Sequence, residues 1–592
     1  MKKNLKALLA LVLALCMLTL TACGSQPAQE TENPTEEAST SETKTEEPAK
    51  EEVVESKYPG YLNLDGYRPI VKEGEEITLK VAIAKNPSTT ISSDDAWFTH
   101  FIEEKLNINL EIEQIDWSAR AEKINLIMAS GELPDIMITF GFTPNQIVKY
   151  GIDEEMLLPV SDYMSEELTP NIIAHFESNP NAELGHTASD GKIYTVPQLS
   201  ANNFGFGGTI PQGYRMFVDT KYMEAAGYET VPEDIDGFLD MLRDFKEVGD
   251  KIGVDEVYPM LGSSSYGYVF KNAFGWMAGS STNDVAPVWD VEEGKVVIPA
   301  SQEKYQEYVK LLNTLYTEGL IHPDTFTLDS AAWKALMVER KGGVWSTSAP
   351  YTIVSEKENG WGDFIGLTPL KSEHNPEGLV RASYDYAANG YYHISADTEY
   401  PEVCMRLMDY LCSPEGLVYA SYGCPAGSED TLGMIDGYTV ENNQLVYGED
   451  AAAFESALMY KLNTINLGWQ YLANDYQIMP HAFELVGETY VDQGLDYENN
   501  GDDHYRHILA TACEGRLVTP MPNAFMDGDD SARFSDLQTV LNDYVISEVA
   551  KFVVGQRPLD ELPAFQEELK ALGLEEFIQL CEEAYAGYAG PQ

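Results

Sequence analysis

Basic residues are scarce in this chain. Of its 592 residues 38 are Lys or Arg against 96 Asp or Glu, a formal net charge of −58. Binding a phosphate backbone needs a basic face, so nucleic acid is excluded as a partner. The acid surplus reads as a soluble surface. Cysteines number seven and form no C-x-x-C pair. Beyond Cys16 and Cys23, the scattered Cys404, Cys412, Cys424, Cys513 and Cys581 do not make a disulfide framework. Buried thiols are expected, with one bridge left open. After the first 20 residues no apolar run approaches the length that spans a bilayer. Catalytic signatures are lacking as well. There is no G-x-S-x-G elbow and no H-E-x-x-H, so His504 and His507 read as a solvated pair. Gly205-Phe206-Gly207-Gly208 begins like a dinucleotide loop, but Ile210 stands where the third glycine belongs. Asp527-Gly528-Asp529-Asp530 and Asn499-Asn500-Gly501-Asp502-Asp503 are rich in oxygen ligands without the EF-hand order. No cofactor and no metal are therefore expected, with structural calcium left open.

What is present begins at the amino terminus. Lys2, Lys3 and Lys6 precede an apolar run from 7 to about 20, the pattern of a secretory signal. The run ends in Leu20-Thr21-Ala22-Cys23-Gly24-Ser25, which resembles the lipobox of bacterial lipoproteins. That resemblance implies removal of residues 1–22, acylation of Cys23 with fatty chains such as palmitate, and a chain held at the outer face of the cell membrane. Residues 23–58 follow as a Glu-, Thr-, Pro- and Ser-rich stretch with little to bury, expected to be a disordered acidic tether. Its reach as a flexible coil is about 30 Å.

From residue 59 onward the composition is globular. Alternating β-branched residues predict strands at 77–84, 108–115 and 135–140, and amphipathic spacing predicts helices at 96–106 and 119–129 between them. That alternation implies βαβ units and a mostly parallel sheet, whose ligands bind beyond the carboxyl ends of the strands. Further helices are predicted at 222–226, 233–248, 305–319 and 403–411. The stretch from 531 to 588 reads as helical with a break at Gly555-Gln556-Arg557-Pro558.

Several segments, in order, resemble the extracellular solute-binding proteins of carbohydrate ABC importers. They are Ala129-Ser130-Gly131-Glu132-Leu133-Pro134-Asp135-Ile136, Asp190-Gly191-Lys192-Ile193-Tyr194 with Pro197, and Val218-Asp219-Thr220-Lys221 with Gly227 and Pro232. Gly342-Gly343-Val344-Trp345 and Leu411-Cys412-Ser413-Pro414-Glu415-Gly416 continue the series. The tail around Gly555–Leu559, Leu572-Gly573-Leu574 and Tyr585 is similar to a large lipoprotein subgroup of Gram-positive bacteria. The resemblance covers nearly the whole mature chain. It implies an α/β, two-lobed periplasmic-binding-protein-like fold (type II), with mixed sheets flanked by helices, a hinge between lobes and extra C-terminal helices. Lobe one is mapped to 59–198 and 346–388, and lobe two to 199–345 and 389–592. The implied partners are an oligosaccharide and the permease subunits of an importer, with the protein itself a monomer.

A sugar site needs aromatic platforms for C–H faces and amide, carboxylate or guanidinium groups for hydroxyls. Aromatic residues make up 11% of the chain, with 35 tyrosines. Trp117 follows the second strand. By the resemblance, Trp276 falls at a stacking position and Trp345, Tyr351, Tyr384 and Asp385 lie at lobe crossings. Trp469, Asn86 and Arg215 complete the expected ligand-binding set. The reading is a binding protein and not an enzyme. An oligopeptide or other polar solute in the same fold, and a secreted glycoside hydrolase, are the alternatives. The hydrolase requires two carboxylates facing one cleft, and no stretch carries its signature.

Overall fold

The alternating segments become strands β1 (Thr78–Lys85), β2 (Asn109–Asp116) and β3 (Ile136–Phe142). This computed structural model describes residues 57–590 apart from 86–88, 179–182, 184, 198–215, 263–267, 279–282, 348–349, 351–352, 354–362, 383–389, 455–456, 466–467, 470–474, 492–500, 520, 523, 587 and 589. The signal segment, Cys23 and nearly all of the tether lie outside the described residues. Residues 58–592 form one compact unit.

Six more strands complete two sheets: β4 (Val196–Pro197), β5 (Met216–Asp219), β6 (Met260–Gly262), β7 (Val344–Ser346), β8 (Phe364–Gly366) and β9 (Gly390–Ile394). The first sheet has the order β2-β1-β3-β9-β4 and the second β8-β5-β7-β6. In the first, β1 runs parallel to β2 and β3, while β9 is antiparallel to β3 and β4. In the second, β5 is antiparallel to β7 and β8, and β6 is parallel to β7. The fold is mixed α/β, as expected.

Helix α1 (Trp97–Leu106) joins β1 to β2, and α2 (Arg120–Ser130) joins β2 to β3. Each stops at a left-handed residue, Asn107 at φ 58° and Gly131 at φ 71°, a cap that Gly and Asn adopt at low steric cost. Successive strand residues point to opposite faces. Val81, Ile83 and Ile138 therefore pack with Trp97 and Phe101, while Ala82, Ala84 and Met137 pack with Ile124 and Ile127 of α2. Beyond β5 come α3 (Ile235–Lys246) and α4 (Tyr305–Thr317), whose Phe238, Leu242, Leu312 and Leu315 cover Val218 and Val344. Then α5 (Pro401–Cys412) and α6 (Pro414–Tyr422) return to the first core through Met408 and Val418. Ser413 caps the second of these helices. Ser413 Oγ accepts from Gly416 N at 3.0 Å, and a Cβ at Gly416 would stand 1.9 Å from the Tyr410 carbonyl oxygen. The carboxyl-terminal helices α7 (Gly528–Val553), α8 (Leu562–Ala571) and α9 (Leu574–Ala584) add Leu541, Phe552, Phe565 and Phe577 to the second core.

The lobe boundaries differ from the mapping. Segment 346–388 was expected in lobe one, yet β8 lies inside it and pairs with β5, with Phe364 packed on Phe217 and Trp345. Segment 389–592 was expected in lobe two, yet β9 sits in the first sheet and α5, α6 and Ile478 join its core. Hydrophobic faces follow the sheet that covers them, and the order of motifs along the chain does not reveal which sheet that is. The five cysteines beyond Cys23 are buried and unbridged. Among the described residues no helix is long and apolar enough to cross a membrane.

Candidate functional site

The parallel strands β1 and β2 end side by side at Lys85 and Asp116, whose side chains pair at 3.2 Å. Trp117 follows immediately in a 3-10 turn and is exposed. The guanidinium of Arg120, in the first turn of α2, lies 4.3 Å from the Trp117 ring centroid. Arg120 also donates to the Thr139 carbonyl at 3.2 Å. One face of Trp117 is thus covered by a cation that is itself anchored to β3.

Thr139 interrupts β3. Its φ of 62° is left-handed, a strained setting for a β-branched residue. Its Oγ1 accepts from Ala84 N at 3.1 Å and donates to Ala84 O at 3.0 Å. The side chain stands in for the backbone partner, and the β1–β3 ladder ends at Ile138. This local exchange lets β3 part from β1 while Phe142 still pairs with Gly390 of β9, and the chain runs on to Thr143. There a capping box closes: Thr143 Oγ1 accepts from Gln146 N at 3.3 Å and Gln146 Oε1 accepts from Thr143 N at 3.0 Å. The short helix Pro144–Ile147 continues into the π turn Val148–Asp153.

Opposite this segment, the start of α7 arrives from the second body. Asn145 Nδ2 donates to Ser535 Oγ at 2.7 Å and to the Ser531 carbonyl at 3.4 Å. A Cβ at Gly528 would lie 2.6 Å from Asp153 Oδ2, so the Asp153 carboxylate would have to swing aside. Between the two walls is a groove of about 1050 Å³. Thr143, Asn145, Gln146, Lys149 and Asp153 line one side and residues 527–532 with Ser535 the other. Lys149 shares the lining with four aspartates, Asp153, Asp527, Asp529 and Asp530. Such a lining repels anions and offers amide, hydroxyl and carboxylate groups to a neutral hydroxylated ligand.

The expected site residues are distributed unevenly. Trp117 is at the carboxyl edge of the first sheet, as its position after β2 requires. Trp276, Trp345 and Trp469 are instead fully buried. Trp276 donates to the Gln302 side chain and lies against Phe274, Tyr305 and Tyr308. Trp345 donates to the Gly342 carbonyl at 2.7 Å and contacts Phe364. Trp469 packs on Phe98, and its carbonyl accepts from Tyr392 Oη at 2.7 Å. With no exposed face these three rings form core in this conformation and cannot stack on a sugar. Asn86, Arg215, Tyr351, Tyr384, Asp385 and Cys23 lie outside the described residues. Asp527 is the N-cap residue of α7 and Asp529 and Asp530 are in its first turn, where the helix dipole favours acid. That accounts for the Asp-Gly-Asp-Asp run as a helix start. Of the 499–503 run, only 501–503 are described, opening the helix Gly501–Ala512. The sequence reading missed Asn145, Lys149, Asp153 and Ser535. The Thr143-x-x-Gln146 box was the available signal, since it fixes where the chain turns at the strand end.

Two α/β bodies, each with its own sheet, meeting at a polar groove beyond the carboxyl ends of parallel strands, define the class of two-lobed solute-binding proteins. Residues 86–418 match the family described as bacterial extracellular solute-binding protein, and the chain belongs to that family. It is 22% identical over 536 residues to the fructooligosaccharide ABC transporter substrate-binding protein FusA of Streptococcus pneumoniae serotype 4, covering 87% of this chain and 91% of that protein. It is 25% identical over 291 residues to the lipoprotein LipO of Bacillus subtilis, covering 46% of this chain and 50% of LipO. The structure of FusA in complex with kestose matches the fold with a TM-score of 0.66 at 20% identity, over 86% of this chain and 99% of that one.

Proposed function

We propose that this protein captures an extracellular oligosaccharide between its two bodies and delivers it to the permease subunits of an ABC importer. The groove of about 1050 Å³ carries the reading, being large enough for several sugar rings and lined by hydroxyl, amide and carboxylate groups. Likeness over most of its length to a fructooligosaccharide-binding relative supports a glycan over a peptide. Trp117 is the exposed aromatic platform, and Asn86, Arg215, Tyr351, Tyr384 and Asp385 are the further contacts. Ligand contacts made on both sides of the cleft stabilise a closed state, and only such differential affinity shifts the balance between states. The protein acts as a monomer, performs no chemistry on its ligand and is anchored outside the cell through acylated Cys23.

The test is thermal unfolding of the untagged Cys23→Ser chain with fructooligosaccharides, other glycans and oligopeptides. A hundredfold excess over Kd adds about 2.7 kcal/mol to stability, so a true ligand raises Tm clearly. A glycan that raises Tm and is recovered intact upholds the reading. Stabilisation by peptides alone removes the sugar, and recovery of a cleaved glycan removes the claim that no chemistry occurs.

A further inference from the structure

Far along the chain from the groove residues, the second body gathers a histidine and several carboxylates on its surface. His374 projects from a tight turn. Ser372 and Asn375 exchange backbone hydrogen bonds, His374 N donates to Ser372 Oγ at 3.0 Å, and Asn375 Nδ2 donates to the Asn272 carbonyl at 2.8 Å. The turn is thereby pinned to the segment before Phe274, on whose ring the imidazole stacks at 5.4 Å and 25°. The position of the imidazole is set by packing.

Its two nitrogens meet different surroundings. Nδ1 is 2.8 Å from Glu292 Oε2. Glu292 also receives Lys304 Nζ at 3.0 Å. With Glu292 at Nδ1, Nε2 is the ring nitrogen left to face a ligand. Nε2 is buried and has no hydrogen-bond partner among the described residues. It points at Glu307 Oε2, 3.6 Å away, and donor atoms of Glu307, Glu373 and His374 all lie within 4.8 Å of one another. An ion held between this nitrogen and the two carboxylates would give all three groups a partner. The 3.6 Å separation is too long for a hydrogen bond. It is close to the edge of a tetrahedron built on metal bonds of about 2.0–2.1 Å.

We infer that Glu307, Glu373 and His374 bind a divalent transition-metal ion such as Zn²⁺, with Glu292 orienting the imidazole. One imidazole nitrogen with two carboxylates selects a borderline metal over calcium, which takes oxygen ligands alone. The arrangement of carboxylate, histidine and metal is a common outer-shell device. Glu307 stands in the first turn of α4, and Glu307 and Glu373 are exposed, so their side chains have room to close on an ion. The surrounding charge favours one: Asp290, Glu292, Glu307 and Glu373 are all acidic, and Lys304 is already held by Asp290 at 2.7 Å and by Glu292 at 3.0 Å. The metal would tie α4 to the 372–375 turn.

Titration calorimetry of the untagged, chelator-treated Cys23→Ser chain with ZnCl2, and separately with CaCl2, tests this. One saturable Zn²⁺ site, weakened at least tenfold in His374→Gln and in the surface double variant Glu307→Gln/Glu373→Gln, is expected. Glu292→Gln is expected to weaken it about 10- to 100-fold. Visible absorption of the Co²⁺-loaded chain, lost in His374→Gln, reports the nitrogen ligand directly. Absence of a saturable site, equal Zn²⁺ uptake by chain and variants, or stronger binding of Ca²⁺ overturns the assignment. None of these outcomes depends on whether a sugar binds the groove.

Discussion

The two sheets reach their shapes by different means. The first is built around strands of eight, eight and seven residues, β1 to β3, whose apolar positions pack against helices on both faces. The second consists of strands of four, three, three and three residues. Such short ladders supply few hydrogen bonds, and buried charge clusters at their ends and beside them. Arg340 pairs with fully buried Asp219, the last residue of β5, and donates to Asp363 at 3.0 Å. Tyr222 Oη donates to the Arg340 carbonyl at 2.7 Å. Deeper in the same body Lys271 pairs with Asp284, which accepts from Tyr305 Oη at 2.6 Å. Long strands fix register by alternation. Short ones need side chains that tolerate only one geometry, and a buried ion pair has that property because a slip would leave both charges unpaired.

Four substitutions probe this contrast, beginning with the largest effect. Arg340→Ala strands Asp219 without its partner and should cost about 3–5 kcal/mol in urea unfolding. A loss below about 1 kcal/mol would mean that the second sheet does not rely on the pair. Ile138→Ala opens a cavity in the first sheet and should cost about 2–4 kcal/mol, with no dependence on salt. The third probe sharpens the contrast, because the first body has a charged clamp of its own away from the strands. Arg68 pairs with Asp430 and Glu415, each at 2.8 Å, while Tyr419 Oη donates to Asp430 at 2.9 Å. Burial pushes the Asp430 carboxyl up, but Arg68 and Tyr419 together hold it below the usual range. The unfolded chain therefore binds this proton first as pH falls. The contribution of Asp430 is complete above about pH 4 and is lost as pH drops through the lower folded value. In Asp430→Asn that part of the acid slope should vanish, and an unchanged slope would place the acid sensitivity elsewhere. The smallest effect on folding is expected for Trp117→Ala, within about 0.5 kcal/mol, although ligand affinity should fall. If both stability and affinity are unmoved, Trp117 is not a platform.

The same contrast explains how much could be read in advance. Long periodic segments were legible: strands expected at 77–84 and 108–115 appear at Thr78–Lys85 and Asn109–Asp116, and the helix expected at 96–106 at Trp97–Leu106. The break at 555–558 does separate α7 from α8. The three-residue β8 has no periodicity to detect, and the expected lobe boundaries followed the order of motifs along the chain, so the sheets that β8 and β9 join were not read. The place of Trp117 at the end of the first sheet was legible because it directly follows a strand of recognisable period. Trp276, Trp345 and Trp469 were not, since an aromatic residue that fills a core and one that faces a ligand look alike in sequence. Asn145 and Ser535, 390 positions apart, meet only through the tertiary fold.

The place of β9 in the first sheet also governs how the chain must come together in time. Among the described residues β4, at 196–197, pairs only with β9, at 390–394. When the chain is released gradually, residues 196–197 wait for this partner until nearly two hundred more residues have emerged. The whole of the second sheet, 216–366, emerges in that interval. The first body is therefore begun, suspended while the second sheet becomes available, and finished afterwards. Pairings of such long sequence separation form late and slowly. A chain that stays open until its latter half is released is well suited to crossing a membrane before it sets.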